Sequence, residues 1–128
     1  MLDNQNLGVG TDIENISRFK KLTTDKNNSF LKNIFTRDEL DYCFSKKPIA
    51  SHLAARYAGK EATIKALCSL GKKNLDYKDI EILSDAEGVP IVKVNTINNY
   101  KIQTHLSLSH CQDKALAFVV VMELKADE

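Results

Sequence analysis

Residues 55–67, ARYAGKEATIKAL, decide the architecture, because they form the middle of the longest helical pattern in the chain. At about 100° per residue, Tyr57, Ile64 and Cys68 fall within about 60° of Leu53 and make an apolar arc. Glu61 lies beside that arc and Lys65 just beyond it. Ala55, Ala62 and Ala66 take up much of the opposite side. Such a helix has no broad solvent face and must be covered on most sides, by its own fold or by another subunit. A carboxylate on it needs a cation, since an unpaired buried carboxylate is costly and tends to be neutral. Two readings of Glu61 follow. One is an i,i+4 pair with Lys65, in the favourable order of Glu before Lys. The other is a metal ligand or general base, with Arg56, Lys60 and Lys65 placed to receive a phosphate-bearing ligand.

Outward from this stretch, Pro48 suits the first turn of the helix and Gly71 its end. That makes about 22 residues, about 33 Å at the usual rise. Upstream, Thr36 and Glu39 in TRDEL have capping-box spacing, which predicts a short helix to about Ser45. TDKNNS reads as a polar loop, after which FLKNIF resumes an apolar pattern. Residues 7–13, LGVGTDI, read as a glycine-rich strand ending at Asp12, and residues 14–23 as a short amphipathic helix. Downstream the period changes to two. DIEIL (79–83) and VPIVKV (89–94) flank SDAEG and predict a β-hairpin. TINNY (96–100) reads as a loop. In KIQTHLSLSH (101–110), Ile102, Thr104, Leu106, Leu108 and His110 share one face. ALAFVVVME (115–123) is a continuous apolar strand, expected at the centre of the sheet. The class is α+β, an antiparallel sheet packed on one long central helix, in a single domain over residues 1–128.

Composition limits the function. Of 128 residues, 43% are apolar and 27% charged, as in a globular domain. Lys and Arg number 18 against 17 Asp and Glu, a net charge of +1, so there is no global footprint for nucleic acid. No run approaches the ~18 apolar residues of a membrane span, and MLDNQNLGVG lacks the basic and apolar regions of a signal peptide. Cys43, Cys68 and Cys111 have no zinc-like spacing and read as reduced thiols of a cytoplasmic protein.

A second carboxylate, Asp12, follows GVGT, where Gly8 and Gly10 allow close backbone approach. It reads either as a ligand group at a strand end or as the N-cap of a following helix. GVGTDI is not a dinucleotide fingerprint, since Ile13 stands at the third glycine position, and a P-loop GK[ST] is missing. His110 closes an apolar face. It reads as a satisfied structural residue or as half of a nucleophile pair with Ser109 or Cys111, whose side chains point the other way.

GVGTDIENISRF, FTRDELDYC, ARYAGKEATIKAL, DIEIL with EGVP, and LSLSH with ALAFVVV occur in that order. Together they resemble the holo-acyl-carrier-protein synthases, the small stand-alone type of 4′-phosphopantetheinyl transferase, over about residues 7–123. The resemblance implies transfer of the phosphopantetheine arm of coenzyme A to a serine of apo acyl carrier protein, with adenosine 3′,5′-bisphosphate released. It implies Mg²⁺ held by Asp12 and Glu61, with Lys65 neutralising phosphate charge. Either Glu61 or a water it orients accepts the serine proton. Arg56, Lys60 and His110 match positions near coenzyme A, and Gly88 and Pro90 match the turn near its adenine. The resemblance further implies a homotrimer with sites between subunits, and an acidic carrier docked on a basic first helix carrying Arg18, Lys20 and Lys21. A coenzyme A or carrier-protein binding module without turnover would lack Asp12, Glu61 or Lys65, and all three are present.

Overall fold

The computed structural model describes residues 5–95 and 101–124; the loop expected at 96–100 lies outside them. The described residues open with strand β1 (Gln5–Asn15) and three short helices, α1 (Ser17–Lys20), α2 (Ser29–Ile34) and α3 (Arg37–Phe44). The long helix α4 (Ile49–Ser69) follows, then a 3-10 turn (Tyr77–Asp79), the hairpin β2 (Ile80–Ser84) and β3 (Pro90–Val94), and strands β4 (Ile102–His110) and β5 (Lys114–Leu124). The expected capping box is formed at α3: the Thr36 hydroxyl accepts from the Glu39 N–H, and the Glu39 carboxylate accepts from the Thr36 N–H. Gly71 ends the α4 region at φ 83°, a conformation that favours glycine.

The described residues form two antiparallel sheets. One has the order β1-β5-β4, with β5 central as its apolar run predicts, and the hairpin β2-β3 stands as a second sheet. Helix α4 packs against both. Ala58, Ala62, Ala66 and Leu67 share a core with Ile80, Ile82 and Val94 of the hairpin and with Ala117, Val119 and Val121 of β5. A second cluster joins Leu53, Ala54 and Tyr57 to Ile16, Phe19, Leu31, Phe35 and Leu40.

The closest approach is between β1 and α4. A Cβ on Gly10 would lie 1.9 Å from the Ala62 carbonyl oxygen, and one on Gly8 would lie 2.3 Å from that of Ala66. GVG and the alanine stripe are therefore two halves of one contact, strand backbone lying directly on helix backbone. This revises the expected orientation of α4. Its buried stripe is Ala54, Ala58, Ala62 and Ala66, whereas Cys68 is exposed and Glu61 and Ile64 are half-buried.

Strand β1 runs past Asp12 to Asn15, because Ile13 and Asn15 pair with Leu116 and Lys114 of β5. Sheet pairing overrides the helical pattern of residues 14–23, leaving α1 only four residues. Asp12 is thus a mid-strand residue and caps no helix. On the outer face of the same sheet, Leu7, Val9, Ile13, Leu116 and Phe118 are exposed, each at 45% or more.

Candidate active site

Alternation along β1 puts Gly8, Gly10, Asp12 and Glu14 on the face turned to α4. The two glycines let the strand touch the helix, and the next two positions carry carboxylates beside its flank. Lys65 reaches across from α4. Its ammonium donates to the Thr11 carbonyl at 3.0 Å and pairs with Asp12 Oδ1 at 3.4 Å. The other oxygen, Asp12 Oδ2, is buried and has no hydrogen-bond partner. A desolvated carboxylate oxygen without a donor is costly, which makes this atom a candidate ligand acceptor.

Glu14, which the sequence reading passed over, belongs to the same group. Its carboxyl is pushed up to about 7, chiefly by burial and then by the neighbouring Asp12 carboxylate. Arg18 opposes that shift with an ion pair at 3.2 Å. The signal for Glu14 was strand alternation continuing past Asp12, which the helical reading of 14–23 concealed.

Glu61 forms no salt bridge among the described residues; the i,i+4 partner Lys65 turns to Asp12 instead. The Tyr77 hydroxyl faces that of Tyr57, and the Glu61 charge bears on the Tyr77 phenol. Those two hydroxyls lie 3.4 Å apart, and the rings stack with centroids at 5.5 Å. Burial, Tyr57 and the Glu61 charge together hold the Tyr77 phenol well above its usual range, with Tyr57 the largest cause.

Arg56 lies about 140° around α4 from Glu61. Its guanidinium covers the Tyr42 ring at 4.3 Å and donates to Ser84 Oγ at 2.8 Å, while its Nε is buried and unpartnered. Ser84 is the strand partner of Pro90, which ties Arg56 to the base of the hairpin whose turn holds Gly88 at φ 84°. His52 sits on the same side. Burial first, then the charges of Arg56, His110 and Lys46, lower its pKa. The chain thus presents two candidate half-sites: an acidic one with Asp12, Glu14 and Lys65, to which Glu61 is adjacent one helical turn from Lys65, and a basic one with Arg56, His52 and His110.

A sequence profile of the 4′-phosphopantetheinyl transferase superfamily matches residues 8–119, from the Gly8 contact to the middle of β5. The chain belongs to this superfamily. The transferase is 41% identical over 114 residues to a holo-(acyl-carrier-protein) synthase of Thermodesulfovibrio yellowstonii, covering 89% of this chain and 96% of that one. To the Protochlamydia amoebophila synthase it is 38% identical over 117 residues, with the same coverage. A Bacillus anthracis synthase solved in complex with CoA (3′,5′-ADP) superposes with a TM-score of 0.73 at 30% identity, covering 91% of this chain and 96% of that one.

One expected ligand contact is corrected within the transferase. Lys60 is fully buried, pairs with Glu39 at 2.8 Å and donates to the carbonyls of Tyr77 and Ile80. An ammonium has three donors and all are used inside the chain, so Lys60 holds the hairpin to α4 rather than meeting coenzyme A. Of the cations expected to meet the carrier, Lys20 and Lys21 are exposed. Arg18 is more constrained, paired with Glu14 and lying 4.9 Å over the Tyr57 ring. Among the described residues no three His, Cys, Asp or Glu side chains converge on a metal position. No helix among them is long and apolar enough to cross a membrane.

Proposed function

We propose that this transferase moves the 4′-phosphopantetheine arm of coenzyme A to a serine of an apo acyl carrier protein, with Mg²⁺ at Asp12 and Glu61. The carrying observation is Asp12. One of its oxygens faces Lys65 and the other is buried without a donor. The residues fit this ion: magnesium takes few protein carboxylates and fills its remaining positions with water and substrate phosphate. When bound, it supplies positive charge against the pyrophosphate. Lys65, with its ammonium open to solvent, adds charge at the phosphates and can protonate the leaving group. The serine proton goes to Glu61 or to a water that Glu61 orients.

The two half-sites support a homotrimer in which one subunit's Asp12, Glu61 and Lys65 work with a neighbour's Arg56 and His110 on the same coenzyme A. The exposed apolar face of Leu7, Val9, Ile13, Leu116 and Phe118 supports the same assembly, since a patch of that kind marks a contact surface. Lys20 and Lys21 then meet the acidic carrier, and three unpaired cysteines suit the cytoplasm. The test is the intact mass of an apo carrier protein after incubation with the transferase, coenzyme A and Mg²⁺, with an EDTA control. The expected result is a gain of one phosphopantetheine arm that EDTA blocks. No gain from folded protein that binds coenzyme A would reduce the chain to a binding module.

A further inference from the structure

Arg56 is only 3% exposed, yet among the described residues no carboxylate forms an ion pair with it. A buried cation without a counter-charge is costly. The groups that hold this one are neutral. Its guanidinium lies 4.3 Å over the Tyr42 ring, and its Nη2 donates to Ser84 Oγ at 2.8 Å. Its Nε is buried with no acceptor. The same ring gathers two more basic groups. Lys46 Nζ lies 5.0 Å from the Tyr42 centroid, and the His52 ring meets it edge-on with centroids at 6.0 Å. Neither of these forms an ion pair among the described residues. Tyr42 belongs to α3, Lys46 to the turn after it, and His52 and Arg56 to successive turns of α4.

We propose that Tyr42 and Ser84 are positioning residues of the basic half-site: ring and hydroxyl hold the Arg56 guanidinium in place without neutralising it, so that its charge and unused donors remain for a phosphate of coenzyme A. The inference rests on the coenzyme A role proposed for Arg56. An aromatic face attracts a cation through its quadrupole and occupies none of its N–H donors. A hydroxyl accepts one hydrogen bond and cancels no charge. A carboxylate in either place would take up both donors and charge, as Glu39 does for Lys60. The ring is thus what lets a buried arginine stay ordered and still open to an anion.

Four substitutions test this. Tyr42→Leu removes the aromatic face, Tyr42→Phe keeps it, Ser84→Ala removes the hydroxyl, and Tyr42→Glu puts a carboxylate beside the guanidinium. Coenzyme A affinity is read by calorimetric titration, with the KM for the carrier and the thermal unfolding midpoint measured alongside. Tyr42→Leu is expected to weaken coenzyme A binding by about tenfold, with Tyr42→Phe restoring it. Ser84→Ala should give a smaller loss, and the carrier KM should stay constant in all of them. Tyr42→Glu should weaken coenzyme A binding more than Tyr42→Leu while unfolding at no lower temperature than Tyr42→Leu, a combination that lost packing does not produce. Parental coenzyme A affinity in both Tyr42→Leu and Ser84→Ala, with binding lost in Arg56→Gln, would overturn the proposal and leave Tyr42 as a packing group. If Arg56→Gln itself binds coenzyme A as the parent does, the reading of the basic half-site fails and the positioning role falls with it.

Discussion

Two lysine–carboxylate pairs hang from α4, five residues apart, and they behave in opposite ways. Lys60 and Glu39 are both 0% exposed and meet at 2.8 Å. Lys60 spends its other donors on the carbonyls of Tyr77 and Ile80, and Glu39 also accepts from the N–H groups of Thr36 and Ile82. Lys65 and Asp12 meet at 3.4 Å, the lysine side chain is 57% exposed, and one Asp12 oxygen has no donor. Each pair joins a lysine to a carboxylate, so the difference lies in saturation. The closed pair has no capacity left for a ligand and ties α3, the 3-10 turn and β2 to the helix. The open pair keeps a free acceptor and a spare donor, which is what a substrate site requires.

The largest effect expected from breaking this contrast is at the closed pair. Glu39→Ala leaves the Lys60 charge buried without its partner, which costs about 3–5 kcal/mol in such pairs. Urea unfolding should show that loss, and replacing both residues by Met should cost less than either single change. At the open pair the effect moves from stability to activity. Lys65→Met should leave the unfolding free energy within about 1 kcal/mol of the parent, since exposed pairs contribute little. Phosphopantetheine transfer by the same variant should fall by about 100-fold or more, the range for losing one group that stabilises transition-state charge. Equal destabilisation by Glu39→Ala and Lys65→Met would remove the distinction.

The closed pair also marks where sequence reading stops. The TRDEL capping box and the central position of ALAFVVV were legible because local spacing and composition carry them. Asp12, Glu61 and Lys65 were legible as candidates because charges stood out against glycine, alanine and apolar neighbours. Lys60 looked the same, and its partner Glu39 is distant in sequence, so only the fold separates the structural lysine from the open one. Glu14 and the short α1 were lost for a related reason. Ile13 and Asn15 are recruited into the sheet by β5, and a segment's own periodicity does not report such pairing.

The contact that brings the open pair together can be tested with one methyl group. In Gly10→Ala the new Cβ would meet the Ala62 carbonyl, a backbone atom inside a helix that has little room to move. The strand must lift from α4, at a cost of about 1–3 kcal/mol as for other overpacked positions. Transfer should fall as well, because the displacement is two residues from Asp12. Val9→Ala on the outward face is the matched control and should leave unfolding of the isolated subunit nearly unchanged. If Gly10→Ala is as benign as Val9→Ala, the backbone contact does not set the site.

The smallest effect expected is at the basic half-site. His52 has a pKa lowered below 6.5 by burial and by Arg56, His110 and Lys46. In the window between that lowered value and 6.5 the unfolded chain binds a proton that the native chain does not. Stability is therefore fully present above pH 6.5 and is lost as pH falls through the window toward the lowered value. His52→Gln should flatten that slope in urea titrations. An anion bound at Arg56 and His110 would favour the charged imidazole, so coenzyme A should raise the His52 pKa when the ring is followed by NMR. The positive charge crowded around His52 then parallels the unpaired oxygen of Asp12: in the proposed reading the phosphates of one ligand would meet the first and its counter-ion the second. An unchanged His52 pKa with coenzyme A bound would place the ligand elsewhere and leave the acidic half-site to stand alone.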